Sequence, residues 1–232
     1  MNLPAAFLDH LAAIFPADAL ALDERTRRDF ARDRSRYAEV PAAVVFPREH
    51  AEVEALVRAC RAHRVALTAR GGGTSSTGAS VPAPGGVVAC FSRMQRILAI
   101  EPADRYAVVE PGVTNQMLQQ ALAPHGLFWA PDPGSAPWCE IGGNLATNAG
   151  GPRALKYGAT RDNVLALRQR ALGADQQPRQ VVAGGVLGGR LRGHAGADHR
   201  GHAETGAETG GDALAAHRLP RHRGGDGSGV AH

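Results

Sequence analysis

At 232 residues, 44% of them apolar, the chain is long enough for one substantial domain or two small ones and can bury a core. A net charge of +4 and a pI near 9.4 point towards nucleic acid, but much of the arginine lies in the final third and no cluster joins basic residues to aromatics, which speaks against such a partner. Cys60, Cys90 and Cys139 are scattered without a C-x-x-C pair and read as buried thiols in a reducing compartment; with no signal-like N-terminus and no apolar run of about 18 residues, no transmembrane segment is expected and the cytoplasm is.

Residues 3–36 read as helical and amphipathic, with Phe7, Leu8, Leu11, Ile14 and Phe15 at near-helical spacing and Pro16 breaking the first segment. This N-terminal helical segment, residues 1–37, is expected as an appendage on the domain that follows. Pro41 to Pro47 is a short β-type run between prolines, and Glu49 to His63 reads as a helix with Val53, Leu56, Val57 and Cys60 on one stripe. The strand-like Val65 to Ala69 then delivers Arg70-Gly71-Gly72-Gly73-Thr74-Ser75-Ser76-Thr77-Gly78.

Three consecutive glycines let backbone N–H groups approach a ligand closely and converge on it. Backed by the hydroxyls of Thr74 and Ser75 and by one cation, Arg70, they form a cradle for a phosphate or pyrophosphate; a merely flexible glycine loop is the alternative. The cradle lies at the carboxyl end of a strand in a strand–helix–strand unit, where open α/β folds bind ligands. The glycines are not followed by Gly-Lys-Ser/Thr, which excludes a P-loop nucleotide hydrolase.

Val87 to Phe91 is a further strand, and residues 97–101 and 106–110 read as two more, joined by a turn at Pro102 to Arg105. After Pro111-Gly112-Val113, Thr114 is placed to N-cap a helix from Asn115 to Leu122, which His125-Gly126 closes. Leu127-Phe128-Trp129 is expected as a short strand, followed by a rigid turn at residues 131–135. Ile141 to Gly151 is dominated by small residues and amides, as close approach to a flat or polar ligand requires; a tightly packed turn–helix junction is the other reading.

Side by side, PAAVVFP, ARGGGTSSTG, VEPGVTNQML, HGLFWAPDPGS, IGGNLATNAGGP and KYGATRDNVL resemble the FAD-binding domain of the vanillyl-alcohol oxidase and p-cresol methylhydroxylase group of flavoproteins. Within that group the likeness is to the FAD-linked subunit of glycolate oxidase and to FAD-dependent D-lactate dehydrogenases, over residues 38–167. The resemblance implies an α+β fold: a two-subdomain FAD-binding domain of the p-cresol methylhydroxylase type, incomplete at its C-terminal end.

It also implies site residues. Arg70, Gly71, Gly72, Gly73, Thr74 and Ser75 with Gly78 would hold the FAD pyrophosphate. Pro111, Gly112, Val113, Asp132 and Ser135 would line the flavin side. Ile141, Gly142, Gly143, Asn144, Thr147, Gly150 and Gly151 would pack along the isoalloxazine and ribityl chain, and Tyr157 with Gly158 would close the site. Some relatives attach FAD through a histidine of the glycine loop; this loop has neither histidine nor cysteine, so non-covalent binding is expected. Gly134 stands where relatives often carry serine. The implied chemistry is hydride transfer from a D-2-hydroxy acid to the flavin. The family's substrate-binding histidines and arginines sit in a C-terminal domain that this chain is too short to contain, so no catalytic residue is assigned. The expected partners are a small 2-hydroxy acid and a further subunit of a glycolate-oxidase-like complex, with no metal.

Beyond Leu167 the texture changes to Gly, Ala, Arg and His, and six of the ten histidines fall at positions 194, 199, 202, 217, 222 and 232 without zinc-like spacing. Residues 168–232 read either as a disordered basic tail or as an out-of-frame translation. Leu191 to Thr205 can be encoded so that advancing one base yields SEGTLAPITEATLK, which resembles the family's continuation, so a frameshift between about residues 167 and 190 is expected. Loss of the closing strands would then leave the domain marginally stable and inactive on its own.

Overall fold

Two four-stranded sheets organise the residues that the computed structural model describes, 3–167 and 215–217. The first contains β1 (Leu20–Ala21), β2 (Ala43–Val45), β3 (Leu67–Arg70) and β4 (Val87–Cys90), in the order β1-β2-β4-β3. β4 lies between β2 and β3 and parallel to both, while β1 joins the edge of β2 antiparallel. The near-continuous apolar character of β2 and β4 follows from burial on both faces. Ala43, Val45, Val87 and Ala89 face a core shared with helices α1 (Ala5–Ile14) and α3 (His50–His63), whereas Val44, Val88 and Cys90 pack towards Phe30 and Phe46.

Residues 3–36 are helical only in part. α1 ends before Pro16, residues 20–21 extend as β1, and α2 (Glu24–Asp29) is a six-residue helix capped by Asp23, whose carboxylate accepts from the Thr26 N–H at 2.8 Å. Edge pairing with β2 takes Leu20 and Ala21 out of any helix. Phe7, Leu11 and Phe15 of this segment are fully buried in the first core, and burial of each such side chain is worth about 1.5–3 kcal/mol. α3 begins where the Glu52 carboxylate accepts from the Arg48 N–H (2.6 Å) and the Glu49 N–H (3.3 Å).

The second sheet holds β5 (Ile97–Glu101), β6 (Tyr106–Val109), β7 (Val164–Leu167) and β8 (Ala215–His217), all antiparallel, in the order β5-β6-β8-β7. Its core gathers Ala107, Val109, Val113, Leu118, Leu122, Leu127, Trp129, Ile141 and Val164. α4 (Asn115–Leu122) supplies two of these, and the Met117 N–H donates to Thr114 Oγ1 (3.1 Å), the expected cap.

Leu127 to Trp129 does not form the expected strand. The Gln119 amide takes both backbone groups of Trp129, donating to its carbonyl (2.6 Å) and accepting from its N–H (3.0 Å), so a side chain does what a ladder would have done. The α+β, two-part arrangement is present. Of the tail, only residues 215–217 are described, and the expected change of frame and the other tail histidines lie outside the described residues.

Candidate functional site

The glycine loop leaves β3 at Arg70 and turns back through Gly73 (φ +64°) and Gly78 (φ +81°), backbone angles that an L side chain would strain. A segment well before it in the chain clamps it from outside. The Arg34 N–H donates to the Ser75 carbonyl (2.9 Å), Arg70 Nη1 to the Arg32 carbonyl (2.7 Å), and Ser80 Oγ to Asp33 (3.4 Å). The Tyr37 ring lies against Gly78, where a Cβ would stand 2.8 Å from its Cδ2.

Opposite the loop stands α5 (Ile141–Thr147), held by the Pro111 to Val113 turn. Gly142 N–H donates to the Pro111 carbonyl and Ile141 N–H to the Val113 carbonyl, each at 2.8 Å, while Gly112 N–H donates back to Met94 (2.8 Å). Ahead of that turn the buried Glu110 carboxylate accepts from the Arg96 N–H (2.7 Å), Nε (2.9 Å) and Nη2 (2.7 Å). The two sides meet where Gly72 lies against the Trp138 carbonyl, a contact that any side chain at 72 would break.

Between loop and helix runs a cleft of about 320 Å³. Of the residues expected at the site, Gly71, Gly72, Gly73, Thr74 and Ser75 line it from the loop, and Ser135, Gly143, Asn144 and Thr147 from the other side. The others do not line it. The Arg70 guanidinium packs over the Phe30 ring (5.2 Å) and occupies the space a Gly73 side chain would need. Pro111, Gly112, Val113, Ile141 and Gly142 form the buried junction just described. Asp132 accepts from the Arg153 N–H (2.9 Å) and lies against Gly151, with Gly150 beside Ala154. Tyr157 meets Phe128 edge-on (5.4 Å), and Gly158 (φ +79°) leaves room for Asp162.

The cleft also takes Glu140, a residue the sequence reading passed over. Its carboxyl is buried, and Oε2 stands 2.9 Å from where a Gly71 Cβ would be. Burial pushes this carboxyl up to about 8, against the pull of the Arg70 charge. Neither Oε2 of Glu140 nor Nδ2 of Asn144 has a hydrogen-bond partner. An unsatisfied buried polar atom costs about 1–3 kcal/mol, so a polar group placed in the cleft would be stabilised by both. A charged residue directly before Ile141-Gly142-Gly143-Asn144 was the sequence signal for Glu140. Among the described residues, no group of three His, Cys, Asp or Glu could hold a metal ion, and no helix is long and apolar enough to cross a membrane.

Glycine cradle, hydroxyls and unpartnered polar groups fit a polyanionic, hydroxyl-rich cofactor such as FAD. Comparison with known proteins points the same way. The profile of a family described as an FAD binding domain matches residues 41–169. The chain is 44% identical over 138 residues to the glycolate oxidase subunit GlcD of Escherichia coli, which is 60% of this chain and 28% of that one. It is 38% identical over 164 residues to the D-2-hydroxyglutarate dehydrogenase of Stutzerimonas stutzeri, 70% of this chain and 35% of that enzyme. Among solved structures, an alkyldihydroxyacetonephosphate synthase superposes with a TM-score of 0.67 at 27% identity, covering 72% of this chain and 32% of that one. A p-cresol methylhydroxylase superposes with a TM-score of 0.57 at 18% identity over 62% of this chain and 29% of that one, a likeness of fold. The chain thus spans about a third or less of the length of these proteins.

Proposed function

The chain belongs to the FAD binding domain family, and on that premise we propose that it holds FAD non-covalently in the cleft between the glycine loop and α5, as the cofactor-binding part of a D-2-hydroxy-acid dehydrogenase of the glycolate or D-lactate type. The observation that carries this reading is the cleft itself: glycines on both walls and two buried polar atoms without a protein partner. In the proposed complex Gly71 to Ser75 offer N–H and hydroxyl donors to the phosphates, and Gly143, Asn144 and Thr147 form the facing wall. FAD, when bound, supplies the acceptor for the hydride of the substrate's hydroxyl-bearing carbon. The chain's residues bind and orient the cofactor, and the clamp at residues 32–37 keeps the loop in place. Buried cysteines without disulfides favour a reducing compartment such as the cytoplasm for it.

A second reading is favoured by the cleft's composition. Among the described residues, its lining carries no histidine, lysine or arginine to take a proton or fix a carboxylate. On that reading the chain is an FAD-binding module whose substrate contacts come from another polypeptide, and it turns over no 2-hydroxy acid alone. We also infer that residues 168–232 are read out of frame, since the family match ends at residue 169 and residues 191–205 can be encoded so that a one-base advance gives a family-like string. Resequencing the gene tests this, and an in-frame read through codon 232 would sink it.

The direct test of cofactor binding is an absorbance spectrum of the purified chain, before and after acid precipitation. Flavin bands that move to the supernatant are expected. A colourless protein that added FAD cannot reconstitute would overturn the reading. Adding the polypeptide that follows this domain in a glycolate oxidase subunit then separates the two alternatives: restored turnover is the outcome of the module reading, and a failure to restore it is the outcome of a truncated, inactive domain.

A further inference from the structure

Glu140 and Asn144 stand four residues apart at the start of α5, one turn along the same face, and both line the cleft. They are 5% and 2% exposed, yet Oε2 of the one and Nδ2 of the other meet no partner. The backbone fixes them there: the Glu140 carbonyl accepts from the Asn144 N–H (2.9 Å), and the Cys139 carbonyl just before it accepts from the Asn115 N–H (3.0 Å). Gly71 across the cleft leaves the Glu140 carboxyl its space.

An ionised carboxylate at this point would face the same anion that the glycine loop is shaped to hold. The charges around it do not secure that ionised form. Arg70 on β3 is the cation that pulls towards it, but that guanidinium is committed to the Arg32 carbonyl and interacts as well with Asp33 and with Cys90 at the end of β4. Desolvation outweighs Arg70, and Cys90, itself pushed up by burial, adds no positive charge.

We propose that Glu140 enters the cleft as a neutral carboxylic acid and, with the Asn144 amide, donates to an anionic oxygen of FAD bound there, so that loss of the Glu140 proton to solvent releases the cofactor. The inference rests on the FAD reading above and adds to it a binding residue and a pH dependence. A single proton retained on binding makes the apparent Kd rise up to tenfold per pH unit once the free carboxyl ionises. With that midpoint at about 8, affinity falls about 30-fold between pH 7 and pH 9.5.

The test is an FAD titration of the full chain by flavin fluorescence from pH 6 to 9.5, in wild type and in Glu140→Gln. The expected result is weakening above pH 8 in wild type and affinity independent of pH in the variant, whose amide keeps a donor without a titrating proton. An infrared pH titration of the wild type gives a second readout that needs neither FAD nor a folded variant: a protonated-carboxyl band at neutral pH that fades with a midpoint near 8. Affinity independent of pH in the wild type, the same pH dependence in both chains, or no such band at neutral pH would overturn the inference and leave FAD binding standing. No FAD binding at any pH would overturn both.

Discussion

Alanine at Gly142 and at Gly143, adjacent positions of α5, is expected to shift stability in opposite directions. A Cβ on Gly142 would lie 2.7 Å from the Cβ, 3.1 Å from the carbonyl oxygen and 3.2 Å from the Cα of Pro111. These are ring and backbone atoms, and the Gly112 N–H bond to Met94 holds the turn that carries them. Nothing there can rotate away, so α5 must back off and loosen its two 2.8 Å bonds to Pro111 and Val113. Overpacking of this kind costs about 1–3 kcal/mol, and the helical preference of alanine over glycine returns less than about 1 kcal/mol. A net loss of about 1–2 kcal/mol follows. A Cβ on Gly143 meets nothing within 4 Å, so only the helical preference remains, a gain of about 0.5 kcal/mol. Because Gly143 lines the cleft, the same methyl stands in cofactor space, and FAD affinity should fall while stability rises. Urea unfolding followed by circular dichroism, with an FAD titration on each variant, measures both. Equal destabilisation by the two alanines, or a Gly142→Ala chain as stable as wild type, would refute the reasoning.

Glu140 also sets the pH dependence of folding. Its unfolded carboxyl ionises near 4.5 and its folded one near 8, so between these values the folded state binds more protons and stability falls as pH rises. Glu140→Gln should remove this slope and exceed wild type at pH 8 by on the order of 2–4 kcal/mol, the two converging near pH 4.5; parallel urea stability curves from pH 5 to 8 would contradict it. The cysteines give a simpler check. Cys60 is buried with its thiol pushed up to about 12, Cys90 is pushed up by burial, and Cys139 is buried, so an aromatic disulfide reagent should find no fast-reacting thiol in the native chain and three in denaturant. A fast thiol in the native chain would sink this reading.

Much of the scaffold could be read from the sequence because its signals are local. Thr114 caps α4, the stripe of Leu56 and Cys60 marks α3, and the proline-bounded run holds β2, each fixed by residues within one or two turns of itself. What escaped was decided at a distance. Leu127 to Trp129 has the apolar character of a strand, but Gln119 had already taken the Trp129 backbone groups. Leu20 and Ala21 carry no strand signature and extend because β2 offers an edge. The clamp of residues 32–37 on the glycine loop pairs segments some 40 positions apart, with polar contacts that leave no periodicity to find.

The site divides on the same principle. Glycines and hydroxyls of the loop line the cleft because an anion cradle is made of what side chains leave out, and that is written in composition. The residues that look most ligand-like have other work. The Arg70 charge braces the loop from behind, Asp132 ties down Arg153, and Pro111 to Val113 is the fulcrum on which α5 rests. These residues act on the cleft through rigidity, since a cradle of glycines holds its shape only if something else immobilises it. Glu140 is the converse case. Its identity suggests a solvated surface charge, and only burial against Gly71 makes it a neutral donor. A cleft built this way binds through backbone geometry fixed from outside, so substitutions behind the loop should weaken the cofactor about as effectively as substitutions within it.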